Sequence, residues 1–96
     1  MLDIHLDDEG NVKLSGRFDA AQVDKAEEVF SHVHDDCSVD CAELEYISSA
    51  GLGVFITAYK RLFSEKKHLR LVNLKQNVRQ ILHYAGLDQI LAVEQG

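Results

Sequence analysis

The chain has 96 residues, 46% hydrophobic and 27% charged, the profile of one soluble globular domain over residues 1–96 with a single two-layer core. Sixteen acidic against ten basic residues give a formal charge of -6, and no basic run is long enough to neutralise several phosphates, which excludes wrapping a nucleic-acid backbone. No basic stretch leads into an apolar one near the N-terminus and no apolar run approaches a membrane span, so the expectation is a cytoplasmic protein, neither secreted nor inserted.

Leu2, Ile4 and Leu6 alternate with Asp3, His5 and Asp7, the pattern of a strand with one buried face. Asp8-Glu9-Gly10-Asn11 supplies a turn, and Val12 and Leu14 resume the alternation, so a hairpin is expected at a sheet edge with one side wet. Asp19 opens the first helix, with Gln22 three residues later to complete a reciprocal cap. Val23, Ala26, Phe30 and Val33 recur at helical spacing and carry that helix to about His34.

Cys37 to Cys41 reads as a short apolar strand continuing through Leu44 to Tyr46-Ile47. In an extended chain the two thiols stand about 13 Å apart, beyond disulfide reach, so both are expected to be reduced and buried. From Leu52 the period changes: Leu52, Phe55, Ile56, Tyr59, Leu62 and Phe63 mark an amphipathic helix with Ser49 as its N-cap. Leu69, Leu71 and Val72 form another strand. Asn73 is then expected to cap a helix with Gln76 at its third position, Leu74, Val78, Ile81, Leu82 and Ala85 inward, and Gly86 as the stop. A turn and a last short strand close the stretch from Leu87 to Val93.

Strands separated by helices of this length run parallel through right-handed crossovers. The expected architecture is therefore a layered α/β domain with a small mixed sheet, a starting hairpin followed by strand-helix repeats, and helices mainly on one face.

Unusual features converge only at Ile47-Ser-Ser-Ala-Gly-Leu-Gly53. Gly51 and Gly53 cost helix stability relative to alanine, yet they leave the amides around Ser49 approachable. Two readings stand side by side. Ser49 is a cap and Gly51 is small because a neighbouring element packs closely, or Ser49 is a modification or anion site at the positive end of the helix. A phosphate-binding loop needs a longer glycine-rich arc with a following Lys and Ser or Thr, and the segment has neither; a serine nucleophile needs a base within reach, but the string lacks the Gly-x-Ser-x-Gly elbow and His5, His32, His34, His68 and His83 are scattered, able to approach only through the fold. His32 and His34, two apart, do not share a helix face, so no metal site is expected. Tyr46 suits either the core or a partner surface. If the strands preceding Asp19 and Ser49 are parallel, both residues lie at one end of the sheet, where one partner could touch both.

The segment Asp40-Cys-Ala-Glu-Leu-Glu-Tyr46-Ile47-Ser48-Ser49-Ala50-Gly51-Leu52-Gly53 resembles the signature of the STAS domain family, above all its bacterial anti-sigma factor antagonists. There a strand containing Asp leads through an aromatic or aliphatic pair to Asp-Ser-Ser/Thr-Gly-Leu-Gly and a long apolar helix. Gly16-Arg17-Phe18-Asp19 is similar to the family's Gly-x-Leu-Asp, and Leu69 to Asn73 and Ala85-Gly86-Leu87 fit its fourth strand and third helix. Two positions depart: Ser48 stands where many members have Asp, and Ala50 where they have a second Ser or Thr. The chain also stops soon after its last predicted strand, so the family's final helix is expected to be absent or very short, leaving surface for a partner or a second copy in a homodimer.

The resemblance implies a phosphoacceptor at Ser49, with Ser48 as a competing hydroxyl, and a partner surface of Asp19, Ser48, Ala50, Gly51, Leu52 and Gly53. It implies an anti-sigma factor serine kinase as partner, bound by the unphosphorylated domain so that the sigma factor is released, and a phosphatase to reset the switch. No cofactor, metal or chemistry of its own is implied. Two other roles fit the same family: a standalone STAS subunit of a lipid-transport ABC complex, and a scaffold subunit of a stress-signalling assembly.

Overall fold

The computed structural model describes residues 2–87 and 92–94. Strands β1 (Leu2–Leu6) and β2 (Val12–Phe18) form an antiparallel hairpin. Its turn is built by Asp7, whose Oδ1 accepts from the amides of Glu9 and Asn11 at 2.9 Å each, and by Gly10, whose φ of 85° favours glycine. A 3-10 turn (Ala20–Gln22) leads into α1 (Val23–Phe30). Then follow β3 (Cys37–Ile47), α2 (Ser49–Ser64), β4 (Leu69–Val72), α3 (Gln76–Tyr84) and β5 (Ala92–Glu94).

The strands lie in chain order in one five-stranded sheet, antiparallel between β1 and β2 and parallel from β2 to β5. Crossovers of a single hand that each step to the next strand place α1, α2 and α3 on the same face. Burial follows: Leu2, Ile4, Val12, Leu14, Val39 and Leu71 face the helices and are buried, whereas Asp3, His5, Lys13, Arg17 and Arg70 lie on the open face. This is the predicted layered α/β arrangement with a mixed sheet and one-sided helices.

β3 carries the device that aims the site. Against β2 it gains one residue between the Lys13–Asp40 and Ser15–Glu43 pairs, and another between Gly16–Leu44 and Arg17–Tyr46. Each extra residue reverses the side-chain parity, so Cys41, Leu44 and Ile47, three apart, all point into the core. Asp40 pins the first bulge: its Oδ1 accepts from Ala42 N at 3.0 Å and from Asn73 Nδ2 at 3.2 Å. Gly16, opposite the second, has a φ of 97°.

Several local expectations change. The α-helix begins at Val23, because Asp19 instead caps the 3-10 turn, accepting from Ala21 N at 3.1 Å. The Gln22 amide nitrogen turns back to Arg17 O and Asp19 Oδ1, at 3.1 and 2.9 Å, so the reciprocal cap is not formed. The helix stops at Phe30 rather than near His34, where the Arg61 guanidinium takes the carbonyls of Phe30 and Val33 at 2.8 and 2.7 Å. Asn73 does not cap α3. It adopts a left-handed φ of 61° and binds Asp40, and α3 begins three residues later with Lys75 at its cap. Ala85 is exposed rather than inward, in the turn closed by Gly86. The predicted turn after Leu87 falls partly on residues 88–91, outside the described residues.

Both cysteines are free and buried. Burial pushes the Cys41 thiol up to about 12, helped by the Asp40 carboxylate, and raises that of Cys37.

Candidate functional site

Because β2 and β3 run parallel and Phe18 pairs with Ile47, the segments after both strands emerge side by side. A hydrogen bond from Ser48 N to Phe18 O, 2.8 Å, locks the two exits together. Asp19 and Ser48 to Gly53 thus share one end of the sheet, as the sequence led us to expect.

The two serines divide the work differently from the sequence reading. Ser48, not Ser49, is the N-cap: its backbone is extended, with φ -87° and ψ 171°, and its Oγ accepts from Gly51 N at 3.2 Å. Its carbonyl accepts from Leu52 N at 2.9 Å. Ser49 is the first helical residue and is exposed, and its hydroxyl has no hydrogen-bond partner among the described residues. Of the four amides at the helix start that lack an intrahelical acceptor, that of Ser48 goes to Phe18 O and that of Gly51 to Ser48 Oγ, while those of Ser49 and Ala50 have no partner among the described residues.

The glycines also separate. A Cβ on Gly51 would lie 2.8 Å from Ile47 Cγ1 and 3.0 Å from the Phe18 ring, so this position must be glycine for α2 to approach the strand ends. Phe18 is held in turn by an edge-to-face contact with Phe55, centroids 5.7 Å apart. At Gly53 a Cβ would meet nothing within 4 Å. Gly51 and Leu52 are buried and position the turn, whereas Asp19, Ser48, Ala50 and Gly53 are half-buried around the exposed Ser49.

Tyr46 lies half-buried on the open face of the sheet, beneath the Arg17 guanidinium, 4.5 Å from the ring centroid. The sequence did not reveal this cation–π pair, because two bulges decide that Arg17 and Tyr46 stand opposite one another. His32, in the turn just past the end of α1, reaches Glu28 in the helix at 3.4 Å, both on the surface. No group of three His, Cys, Asp or Glu that could hold a metal occurs among the described residues. No described helix is long and apolar enough to cross a membrane.

Residues 3–93 match the family described as Mlab, STAS domain, and the chain belongs to the STAS domain family. Members of this family are regulatory, not catalytic. The anti-sigma-B factor antagonist of Staphylococcus epidermidis is 29% identical over 94 residues, covering 94% of this chain and 87% of that protein. An anti-sigma factor antagonist from Mycobacterium paratuberculosis has the same fold, with a TM-score of 0.84 and 22% identity over 97% of this chain and 85% of its own. The Bacillus cell fate determinant SpoIIAA in its phosphorylated form superposes with a TM-score of 0.73 and 14% identity, over 100% of this chain and 91% of its own.

Proposed function

We propose that this single STAS domain is an anti-sigma factor antagonist switched by phosphorylation of Ser49. The observation that carries the reading is the separation of the two hydroxyls: Ser48 is committed to capping α2, which leaves the Ser49 hydroxyl exposed and unbonded. A phosphate there would add about -1.5 to -2 charges at the positive end of a 16-residue helix, beside the amides of Ser49 and Ala50, which have no partner among the described residues. The fold tolerates such a group. A docked partner would not, because the charge must be desolvated among Asp19, Ala50 and Gly53.

The partner is an anti-sigma factor serine kinase that binds the unmodified domain and transfers phosphate from ATP to the Ser49 hydroxyl, and a phosphatase restores binding. The domain is in the cytoplasm and works by docking. The test is capture from the native cell with wild type, Ser49→Ala and Ser49→Asp as baits, together with mass mapping after incubation with the captured kinase and ATP. Wild type and Ser49→Ala should retain the kinase, Ser49→Asp should lose it, and phosphate should map to Ser49. Phosphate on Ser48, or equal capture by all three baits, would overturn the reading. Copurification with membrane ATPase subunits, indifferent to the Ser49 hydroxyl, would instead support the transport-complex role.

A further inference from the structure

Strand β1 forms an outer edge of the sheet, and its sequence, Leu2-Asp3-Ile4-His5-Leu6, has the same apolar and polar order read in either direction. Two hydrogen bonds establish which way its backbone points. Asp7 N donates across the hairpin to Asn11 O at 2.8 Å, so the odd-numbered residues turn their backbone groups toward β2. Lys25 Nζ donates to Leu2 O at 2.8 Å from outside the sheet, so Leu2, Ile4 and Leu6 turn theirs outward.

We propose that this edge pairs antiparallel with the same edge of a second copy of the chain, centred on Ile4, joining two sheets into one across a two-fold axis. In that register Ile4 faces Ile4, Leu2 faces Leu6, and Asp3 faces His5 of the second copy. The backbone parity agrees, because the residues placed opposite one another with outward groups are the ones that can exchange N–H···O bonds.

The side chains agree as well. The axis stands perpendicular to the sheet, so both helical layers stay on one side and opposed residues share a face. Leu6, half-exposed in one copy, is covered by Leu2 of the other, while Asp3 and His5, both exposed, meet on the open face. Slipping the register by two residues in one direction sets Asp3 against Asp3, and in the other His5 against His5 and Asp3 against Asp7. Like charges directly opposite destabilise a strand pair, so the centred register is selected.

The strand ends repeat the complementarity. The acidic turn Asp7-Asp8-Glu9 of the second copy arrives beside Leu2, where the Lys25 ammonium already sits. Lys25 can leave Leu2 O to the incoming Leu6 N–H and pair with that turn. In a lone copy the same lysine guards the edge.

This inference does not rest on the switch reading, and its test reads mass rather than partner capture. Sedimentation equilibrium of the 96-residue protein from micromolar to millimolar concentration should show the mass rising toward twice that of one chain. His5→Glu sets Glu against Asp3 twice and should weaken association roughly tenfold. Asp3→Lys/His5→Glu should restore it. Both positions are exposed, so the variants keep the fold, as circular dichroism will verify. Amide exchange should slow with concentration at Leu2, Ile4 and Leu6 but not at Asp3 or His5. A wild type that stays monomeric at millimolar concentration overturns the proposal. So does a double variant no tighter than His5→Glu, or a dimer without that alternating protection.

Discussion

Gly51 and Gly53, two residues apart in the same helix, should respond oppositely to alanine. At Gly51 the new Cβ would lie 2.8 Å from Ile47 Cγ1 and 3.0 Å from the Phe18 ring. Neither neighbour can move aside, since Phe18 is 0% and Ile47 1% exposed and Phe18 is wedged against Phe55. Forcing a methyl into filled space costs about 1–3 kcal/mol, and the better helix propensity of alanine returns about 1 kcal/mol. The net expectation is a loss of about 1 kcal/mol, up to about 2. At Gly53 no atom lies within 4 Å of the Cβ, so only the propensity acts, and alanine should stabilise by about 0.5–1 kcal/mol. The assay is urea unfolding followed by far-ultraviolet circular dichroism, with thermal midpoints moving by about 4–8 °C per kcal/mol in a chain of this size. Two alanines that stabilise alike would refute the claim that Gly51 is held by close approach.

The serines separate in the same assay: Ser48→Ala should cost about 1 kcal/mol through the lost cap, whereas Ser49→Ala should change stability by only a few tenths of a kcal/mol while abolishing phosphate incorporation. Arg61→Ala strips the carbonyls of Phe30 and Val33 of a charged donor, and because the side chain is about one-third exposed the expected loss in urea unfolding is about 1–2 kcal/mol. Cys41 has a folded pKa of about 12 against an ordinary 9.0, so its neutral thiol contributes stability that is complete below pH 9 and is lost as pH rises from 9 toward 12. A Cys41→Ala variant should show a shallower decline in that window, read from urea midpoints against pH. In the folded wild type at pH 8, an alkylating reagent should leave Cys41 unmodified until the chain unfolds.

Most of the architecture was legible because burial in a one-sided sheet writes itself as alternation. Leu2, Ile4, Val12 and Leu14 read as strand and are buried, and the helical stripe of Leu52, Phe55 and Leu62 is buried as read. The helix starts were less legible, since capping depends on one or two dihedral angles rather than on a periodic pattern. Ser48 and Ser49 are equally good caps by residue type, and the Ser48–Phe18 hydrogen bond is what fixes the earlier one in an extended conformation. Asn73 illustrates the same limit. Its residue type suits a cap and a left-handed turn alike, and the choice is made by Asp40, 33 residues earlier in the chain.

The bulges of β3 tie these local choices to the site. Without two extra residues, the alternation that buries Cys37, Val39 and Cys41 would turn Glu43 and Glu45 inward in place of Leu44, and Phe18 would stand opposite Glu45 instead of Ile47, the residue that sits under Gly51. Asp40 bridges the first bulge and the β4–α3 turn, so this strand aspartate of the family signature acts on Ser49 at a distance, by setting the register that delivers Ile47, the Ser48 cap and the first turn of α2. The signature is thus two things at once. Asp40, Ile47, Ser48 and Gly51 build the corner, and Ser49 stands exposed on it, with Asp19, Ala50 and Gly53 half-buried around it; these are the residues that the proposed switch assigns to a partner. On the proposed switch, a second hydroxyl at position 50, half-buried in the first turn of α2, would be read by what docks, because none of the contacts that pin the corner is made by Ala50.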